Sequence, residues 1–223
     1  MSDATKLDSR LDLLLRLVES ITASPDLDQV LDSVVRSAIS LVDGSRSTVW
    51  IVDGRRLVAR ARVEPPRRSN APARSEFKIG EGLPGHAALE RRALLVPDVL
   101  ADARTANRAY HEAEGLRACA AIPLISHGRL LGILELLTSC AADLGPTEVE
   151  MLTAFAGHAA IAIESARLYA DADRRRREAE TLAEIARDLT EQHDVDAILS
   201  RIARGAHALC GSCLLYTSDA ADE

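Results

Sequence analysis

The chain has 223 residues, 47% of them apolar and 27% charged, with a formal net charge of −7; this is globular composition, long enough for one full core and a further fragment, and it argues against disorder. No apolar run reaches the roughly 18 residues of a membrane-spanning helix, and the opening MSDATKLDSR alternates charges where a secretory signal would be apolar, so a cytoplasmic protein without membrane attachment is expected. Acidic and basic residues are mixed with no basic stripe for a phosphate backbone, which argues against nucleic acid as a partner, and cysteines at 119, 140, 210 and 213 are too sparse for a disulfide framework.

Apolar residues three and four apart predict helices over residues 11–21 and 27–42, the second with Ser24 or Asp26 as its N-cap. Residues 47–52 are rich in β-formers, Asp53-Gly54 supplies a tight turn, and Leu57, Ala59, Ala61 and Val63 alternate with polar or basic neighbours, which predicts a hairpin with one buried face. A loop rich in Pro and Arg, EPPRRSNAPAR, leads to a short strand around 77–79, a glycine-rich turn and a short helix near 84–91. After the extended ALLVPDV come one or two short helices through Tyr110, then the strands RACAAIPLIS and RLLGILELLTS, joined at His127-Gly128. Helices, an interrupted antiparallel meander and a closing helix make an α+β pattern.

The closing helix begins after Pro146, where Thr147 and Glu150 have capping-box spacing. Between Met151 and Ile163 the polar side chains are Thr153 and His158 alone, so this stretch is expected to be buried on more than one side, against the sheet and against Leu14, Leu17 and Ile21 of the first helix or a second subunit. Beyond Tyr169 the run ADADRRRREAE is polar but holds no helix breaker before Leu182, Ile185 and Leu189 resume an apolar stripe. A continuous signalling-type helix is predicted, with a solvated linker helix as the plainer alternative, and Arg174 to Arg177 read as a solvated face.

An internal repeat organises the whole. At an offset of 168, PDLDQVLDSVVRSAISL lies on HDVDAILSRIARGAHAL, matching Asp26 to Asp194, Leu31 to Leu199, Arg36 to Arg204 and Leu41 to Leu209. The last eleven residues, CLLYTSDAADE, match a reading frame of a transposase-type sequencing adapter and are expected to be read-through; without Asp219, Asp222 and Glu223 the net charge moves from −7 to −4, and the C-x-x-C of Cys210 and Cys213 loses a member. The expected organisation is an N-terminal helix over 1–24, a domain over 25–170, a linker or signalling helix over 171–192, the truncated start of a second such domain over 193–212, and the adapter over 213–223.

The segments KIGEGLPGHAALERRALLVPDVLADAR, RACAAIPLISHGRLLGILEL and AFAGHAAIAIESARLY resemble the GAF family in that order, over residues 27–169. The resemblance implies a GAF/PAS-like central antiparallel sheet of about six strands with helices on both faces. The first and last helices would pack on one side, and short helices and loops would roof a small-molecule pocket on the other. It also implies a sensory module of a bacterial signal-transduction protein, for example a histidine kinase, that forms a homodimer through its N- and C-terminal helices. Ligand state would be relayed through the closing helix.

Pocket candidates follow from that resemblance. Trp50, Phe77 and Tyr110 would line the cavity, or, in a ligand-free spacer, Trp50 and Phe77 would fill it. His86 begins the short helix in a position to roof the pocket, although solvent exposure is the plainer reading, and Asp98, Asp102 and Arg104 cap turns and pair locally, with ligand contact by Asp98 the minority reading. His111 precedes the strand RACAAIPLIS, where haem-binding relatives carry an axial ligand, but the comparison needs a two-residue gap; an exposed helix-end histidine is the alternative. Cys119 lies near the bilin-attaching position, yet Ala120 follows where those relatives have histidine, and Cys119 with Cys140 lacks the cysteine spacing of GAF-fold methionine-sulfoxide reductases. No cyclic-nucleotide pattern is recognisable around 107–114, and no histidines pair as a metal site would require. Gly80, Gly82 and Gly85 spell G-x-G-x-x-G, but after a hairpin this reads as a turn needing positive φ, not a dinucleotide loop. His158 is expected to be an interior, hydrogen-bonded histidine. The reading is a binding module with no catalytic constellation, against a thiol reductase as the competing class.

Overall fold

The computed structural model describes residues 24–42, 46–65, 69–191 and 195–210, together with 15, 18 and 19. The expected first helix, apart from helical Leu15, Val18 and Glu19, and the expected adapter segment lie outside the described residues. The chain divides into two units, residues 1–167 and 168–223.

The first unit contains α1 (Leu27–Leu41), β1 (Arg46–Asp53), β2 (Arg56–Val63), β3 (Glu76–Lys78), α2 (Gly82–Glu90), β4 (Leu94–Val96), α3 (Arg108–Glu114), β5 (Ala118–Ser126), β6 (Arg129–Thr138) and the start of α4 (Pro146–Glu191). The six strands form one sheet in the order β3-β2-β1-β6-β5-β4, with every neighbouring pair antiparallel. The α+β fold and the six-stranded sheet stand as expected.

Local chemistry explains the elements. Asp26 caps α1, its Oδ1 accepting the Gln29 N–H at 3.1 Å, and Ser24 Oγ accepts the Asp26 N–H at 3.1 Å, so both candidate caps act in series. Val30, Leu31, Val34, Val35, Ala38 and Leu41 form the buried stripe of α1. The hairpin differs from its simple alternation: register shifts between Val49 and Trp50, so that Val49 pairs with Ala61 and Trp50 with Ala59, passing over Arg60. This bulge splits the β2 set, leaving Leu57 and Ala59 on one side of the sheet and Ala61 and Val63 on the other, and both sides are covered. β6 crosses β1 closely at Gly132, where a Cβ would stand 2.1 Å from the Trp50 carbonyl oxygen. Gly80 and Gly82, at φ 89 and 66, make the turn into α2, as the structural reading of the glycine motif requires.

Two cores lie back to back. On one side α1 and the first turns of α4 bury Val49, Ile122, Leu134 and Leu136 with Phe155 and Ile163. On the other, α2, α3 and their loops roof Trp50, Leu57, Phe77, Cys119 and Ile133. The alternation 133, 134, 135, 136 along β6 sends neighbouring side chains to opposite cores.

α4 corrects two expectations, the Thr147 cap and an interior His158, while the first-helix residues expected to cover the far side of 151–163 lie outside the described residues. Pro146 is itself the first helical residue, so Thr147 sits inside the first turn and cannot cap; Glu148 reaches back instead, its Oε2 accepting the Gly145 N–H at 3.1 Å. The stretch 151–163 is buried along Leu152, Phe155, Ala156, Ala159, Ala160 and Ile163, but Thr153, Ala154, Gly157, His158 and Ile161 face outward in the single chain. A helix lying on a sheet buries one broad face, so the remaining apolar side chains, Ile161 at 54% exposure among them, lie on the far face. His158 is on that face, exposed and not interior.

α4 continues unbroken to Glu191, its polar segment carrying exposed ion pairs such as Arg176 with Asp173 at 3.0 Å and with Glu180 at 2.9 Å. Within the second unit, α5 (Val195–Cys210) approaches the end of α4 at Gly205, where a Cβ would meet Ile185 Cδ1 at 2.3 Å. Leu199 and Ile202 of α5 are exposed, whereas their repeat counterparts Leu31 and Val34 are buried. Among the described residues no helix is long and apolar enough to cross a membrane.

Candidate ligand pocket on the roofed face of the sheet

The roofed core is not wholly filled. A cavity of about 40 Å³ opens between β1, β2 and β6 below and α3 with the 69–77 strap above, lined by Arg46, Trp50, Phe77, Tyr110, His111 and Glu135 among others. A water needs roughly 10–15 Å³ by this measure, so the space holds a few waters or a small head group.

Arg46 opens β1 facing this cavity and is 4% exposed. Its Nη1 meets Glu64 Oε2 at 2.5 Å and its Nη2 meets Glu114, whose side chain is fully buried at the end of α3. Glu114 also accepts from Ser69, from the backbone N–H at 3.1 Å and from Oγ at 2.6 Å, which ties the strap to α3. The Tyr110 hydroxyl donates to Glu64 Oε2 at 3.3 Å, and burial, chiefly, keeps that phenol protonated. Further strap bonds run from Arg62 Nη2 to the Arg74 carbonyl at 2.8 Å and from Asn107 Nδ2 to the Pro72 carbonyl at 3.1 Å. Trp50 and Phe77 meet edge to face with centroids 4.9 Å apart, Arg62 lies over the Trp50 ring at 5.8 Å, and Arg74 lies over Phe77 at 5.3 Å.

Three groups here are unsatisfied or perturbed. Arg46 Nε and His111 Nδ1 are buried without a hydrogen-bond partner among the described residues. Burial, reinforced by the charge of Arg46, lowers the His111 imidazole to about 4, so it is neutral at physiological pH. On β6, Glu135 accepts the Trp50 indole N–H at 2.9 Å, with Cys119 Sγ 3.9 Å from its other oxygen. Burial pushes its carboxyl up to about 7 against the opposing pull of Trp50 and Arg62.

Of the residues singled out from sequence, Trp50, Phe77, Tyr110 and His111 line the cavity together, and Cys119 lies beneath it against Glu135. His111 is buried, not exposed at a helix end. His86 and Asp98 are not among the lining residues: His86 Nδ1 bonds the Gly82 carbonyl of its own helix at 2.8 Å, and exposed Asp98 takes the Leu100 N–H on Oδ1 at 3.0 Å as a turn cap. Asp102 pairs with Arg104 through two oxygens at 2.9 and 2.6 Å, and that pairing holds its carboxyl down at about 2. Arg46, Glu64, Glu114 and Glu135 are the pocket groups that sequence reasoning missed. A lone acid within the apolar run of β6 was the available signal for Glu135, because a strand buried on both faces has no water for it.

The cavity does not fit haem: a cofactor site of that size needs several hundred Å³, on the order of 300 or more, and His111 has no open face for a macrocycle. Nor does Cys119 offer a thiolate, since complete burial, then the charge of Glu135, raises its thiol well above the usual range. Cys140 is exposed.

Solved structures similar to this one share its fold. They include the GAF domain of a phosphoenolpyruvate-protein phosphotransferase from Coxiella burnetii, 24% identical with TM-score 0.64 over 76% of this chain and 99% of that one. A free methionine-R-sulfoxide reductase from Neisseria meningitidis, in complex with its substrate, is 20% identical with TM-score 0.63 over 75% of this chain and 95% of its own. No curated protein sequence matches the chain. The GAF-domain profile matches residues 24–164, well over half the chain, and covers both cores, the roof and the cavity described above: the protein belongs to the GAF-domain family.

Proposed function

We propose that the first unit is a small-molecule-binding sensory module, not an enzyme, that relays ligand occupancy through α4. One observation carries the reading: buried polar groups left unpaired or unneutralised among the described residues, Arg46 Nε, His111 Nδ1 and the Glu135 carboxyl, belong to residues that line one cavity. Unsatisfied buried polar atoms cost about 1–3 kcal/mol each, and a protein retains them where a ligand supplies the missing partner. The thiol-reductase alternative needs an accessible thiolate, which the burial of Cys119 disfavours.

Signalling further requires the ligand to prefer one arrangement of α4 over another. The outward stripe of α4, Ala154, Gly157, Ile161 and exposed Leu168, supports a homodimer formed along this helix together with the N-terminal helix. The repeat of α1 in α5, with Leu199 and Ile202 uncovered, supports α5 as the first helix of a second GAF domain in a histidine-kinase-like signalling protein.

A second reading, a ligand-free spacer, is favoured by how much of the pocket Trp50 and Phe77 fill. Native mass spectrometry with an absorption spectrum of the purified chain, followed by hydrogen exchange with and without the released molecule, separates the two. The sensory reading expects a colourless protein with a bound small molecule whose removal speeds exchange in the 69–77 strap and alters it along α4. A chain that carries nothing and exchanges identically in cell extract and in buffer would establish the spacer.

A further inference from the structure

We propose that Glu135 anchors the cationic head of a small organic ammonium ligand, seated in the cavity against Trp50 and Phe77. This rests on the reading of the cavity as a ligand site and assigns its ligand class. Glu135 is 6% exposed, projects from the middle of β6 into the cavity, and has no cation within ion-pair distance among the described residues. Its contacts are the Trp50 indole N–H from β1 and the Cys119 thiol from β5. The guanidinium that acts on it from a distance, Arg62 of β2, is engaged with the Arg74 carbonyl and lies over the Trp50 ring.

Charge matching points to the sign of the missing group. Around the cavity Arg74 pairs with Glu81 and Arg46 pairs with both Glu64 and Glu114, whereas Glu135 has no ion pair among the described residues. His111, from α3, is neutral and adds no charge, and Tyr110 stays protonated. With Glu135 ionised, an anion placed against its carboxylate meets repulsion and a cation pairs with it. Burial, only partly offset by Trp50 and Arg62, leaves the Glu135 carboxyl half-protonated near neutrality, which is the state expected of an acid whose counter-ion is supplied by something other than the chain. Aromatic and aliphatic walls from Trp50, Phe77, Tyr110 and Leu137 suit an ammonium bearing a short alkyl stem, and a cavity of about 40 Å³ limits the head to a few heavy atoms.

Trp50 is the single tryptophan of the chain and bonds Glu135 directly, so its fluorescence reports occupancy. The full chain is titrated at constant ionic strength with propylammonium chloride, and in parallel with sodium propionate and 1-propanol, which match it in size. The expected result is saturable change with propylammonium alone, tightening about fivefold between pH 6 and 7 as Glu135 gives up its proton and levelling near pH 8. Glu135→Gln, which keeps an acceptor for Trp50, removes the response, and Arg62→Gln, which removes the competing cation, tightens binding several-fold. Circular dichroism establishes that both variants fold; should Glu135→Gln fail to, the Arg62→Gln arm decides, and an unchanged affinity there overturns the assignment. Propylammonium binding to folded Glu135→Gln as tightly as to the parent also overturns it. Saturation by propionate or propanol without propylammonium overturns the charge assignment but leaves the cavity a ligand site, whereas silence from all three probes overturns both.

Discussion

Replacing Arg46 by methionine tests whether the roofed core is held by its buried charges. Arg46 is 4% exposed and joins Glu64, on the strand side, to Glu114, on the roof side; the Glu114 side chain has no exposure and that of Glu64 has 20%. Methionine fills most of the arginine stem, so the loss is electrostatic more than steric. Glu64 is open enough to recover water and keeps the Tyr110 hydroxyl, while Glu114 keeps the strap donors of Ser69 and stays desolvated. Removing one member of a buried ion pair costs about 3–5 kcal/mol, which for a protein of this size lowers the melting temperature by about 10 °C. Arg46→Met with Glu114→Gln is expected to recover at least half of the loss, which additive, independent effects would not allow. Urea unfolding followed through Trp50 fluorescence reads the first unit directly. A single-variant loss below about 1 kcal/mol, or a double variant no better than the single, would refute the role assigned to Arg46.

Glu135→Gln has a sign fixed by linkage: the folded acid sits at about 7 against 4.5 for the free group, so the parent loses stability as pH rises through that window, and the variant gains on the order of 3 kcal/mol over the parent at pH 8 relative to pH 4. His111 acts oppositely, because a base lowered from 6.5 to about 4 contributes stability that is present above 6.5 and lost as pH falls toward 4; in Glu135→Gln, chemical denaturation should therefore show stability rising from pH 4 to 6.5. Alkylation with iodoacetamide and peptide mapping should mark Cys140 within minutes and leave Cys119 unmodified until the chain is unfolded; equal rates would contradict the burial of Cys119. Ile161→Asp should leave the unfolding free energy of the monomer within about 0.5 kcal/mol while shifting sedimentation from dimer to monomer, and an unchanged dimer would remove α4 from the interface. Gly132→Ala should cost at least about 2 kcal/mol by thermal unfolding, since its Cβ would press on the Trp50 carbonyl at 2.1 Å, and a neutral result would mean that β6 and β1 can part without penalty.

What was legible in the sequence and what was not divides along a physical line. Periodicity and caps report local geometry, so α1 with Asp26, the strands around His127-Gly128 and the turn of Gly80 and Gly82 were readable. Where an element has two buried faces, period alone does not say which residue faces which core, and the bulge past Arg60 was invisible for that reason. Aromatic and histidine side chains drew attention to Trp50, Phe77, Tyr110 and His111, which do meet at the cavity. Arg46, Glu64 and Glu114 were missed because their pairing joins β1, the end of β2 and the end of α3, positions 18 and 68 residues apart from Arg46 along the chain, and no local pattern announces such a contact. His86 and Asp98 attracted attention by residue type, but each is spent on a backbone group a few residues away. The outward side of α4 is the reverse case: an all-round apolar pattern was legible, and its far face, with Ile161, stays open among the described residues.

The division of the sheet into a core with buried charges and an oily core gives the proposed relay a physical form. Leu134, Glu135 and Leu136 are consecutive, with Glu135 toward the cavity and both leucines fully buried among α1 and α4 side chains that include Phe155 and Ile163. A close-packed interior yields little before its neighbours move, so a shift of β6 that repositions Glu135 must be met by repacking on the helix side. The roof is different in kind, because the strap is held through a few hydrogen bonds from Ser69, Asn107 and Arg62 and adjusts without disturbing the leucines. A ligand taken up by roof movement alone would bind without altering α4, whereas one that draws on Glu135 engages the strand that both cores share. The distinction between binding and signalling in this module thus reduces to whether the bound molecule's contact falls on β6 or on the strap.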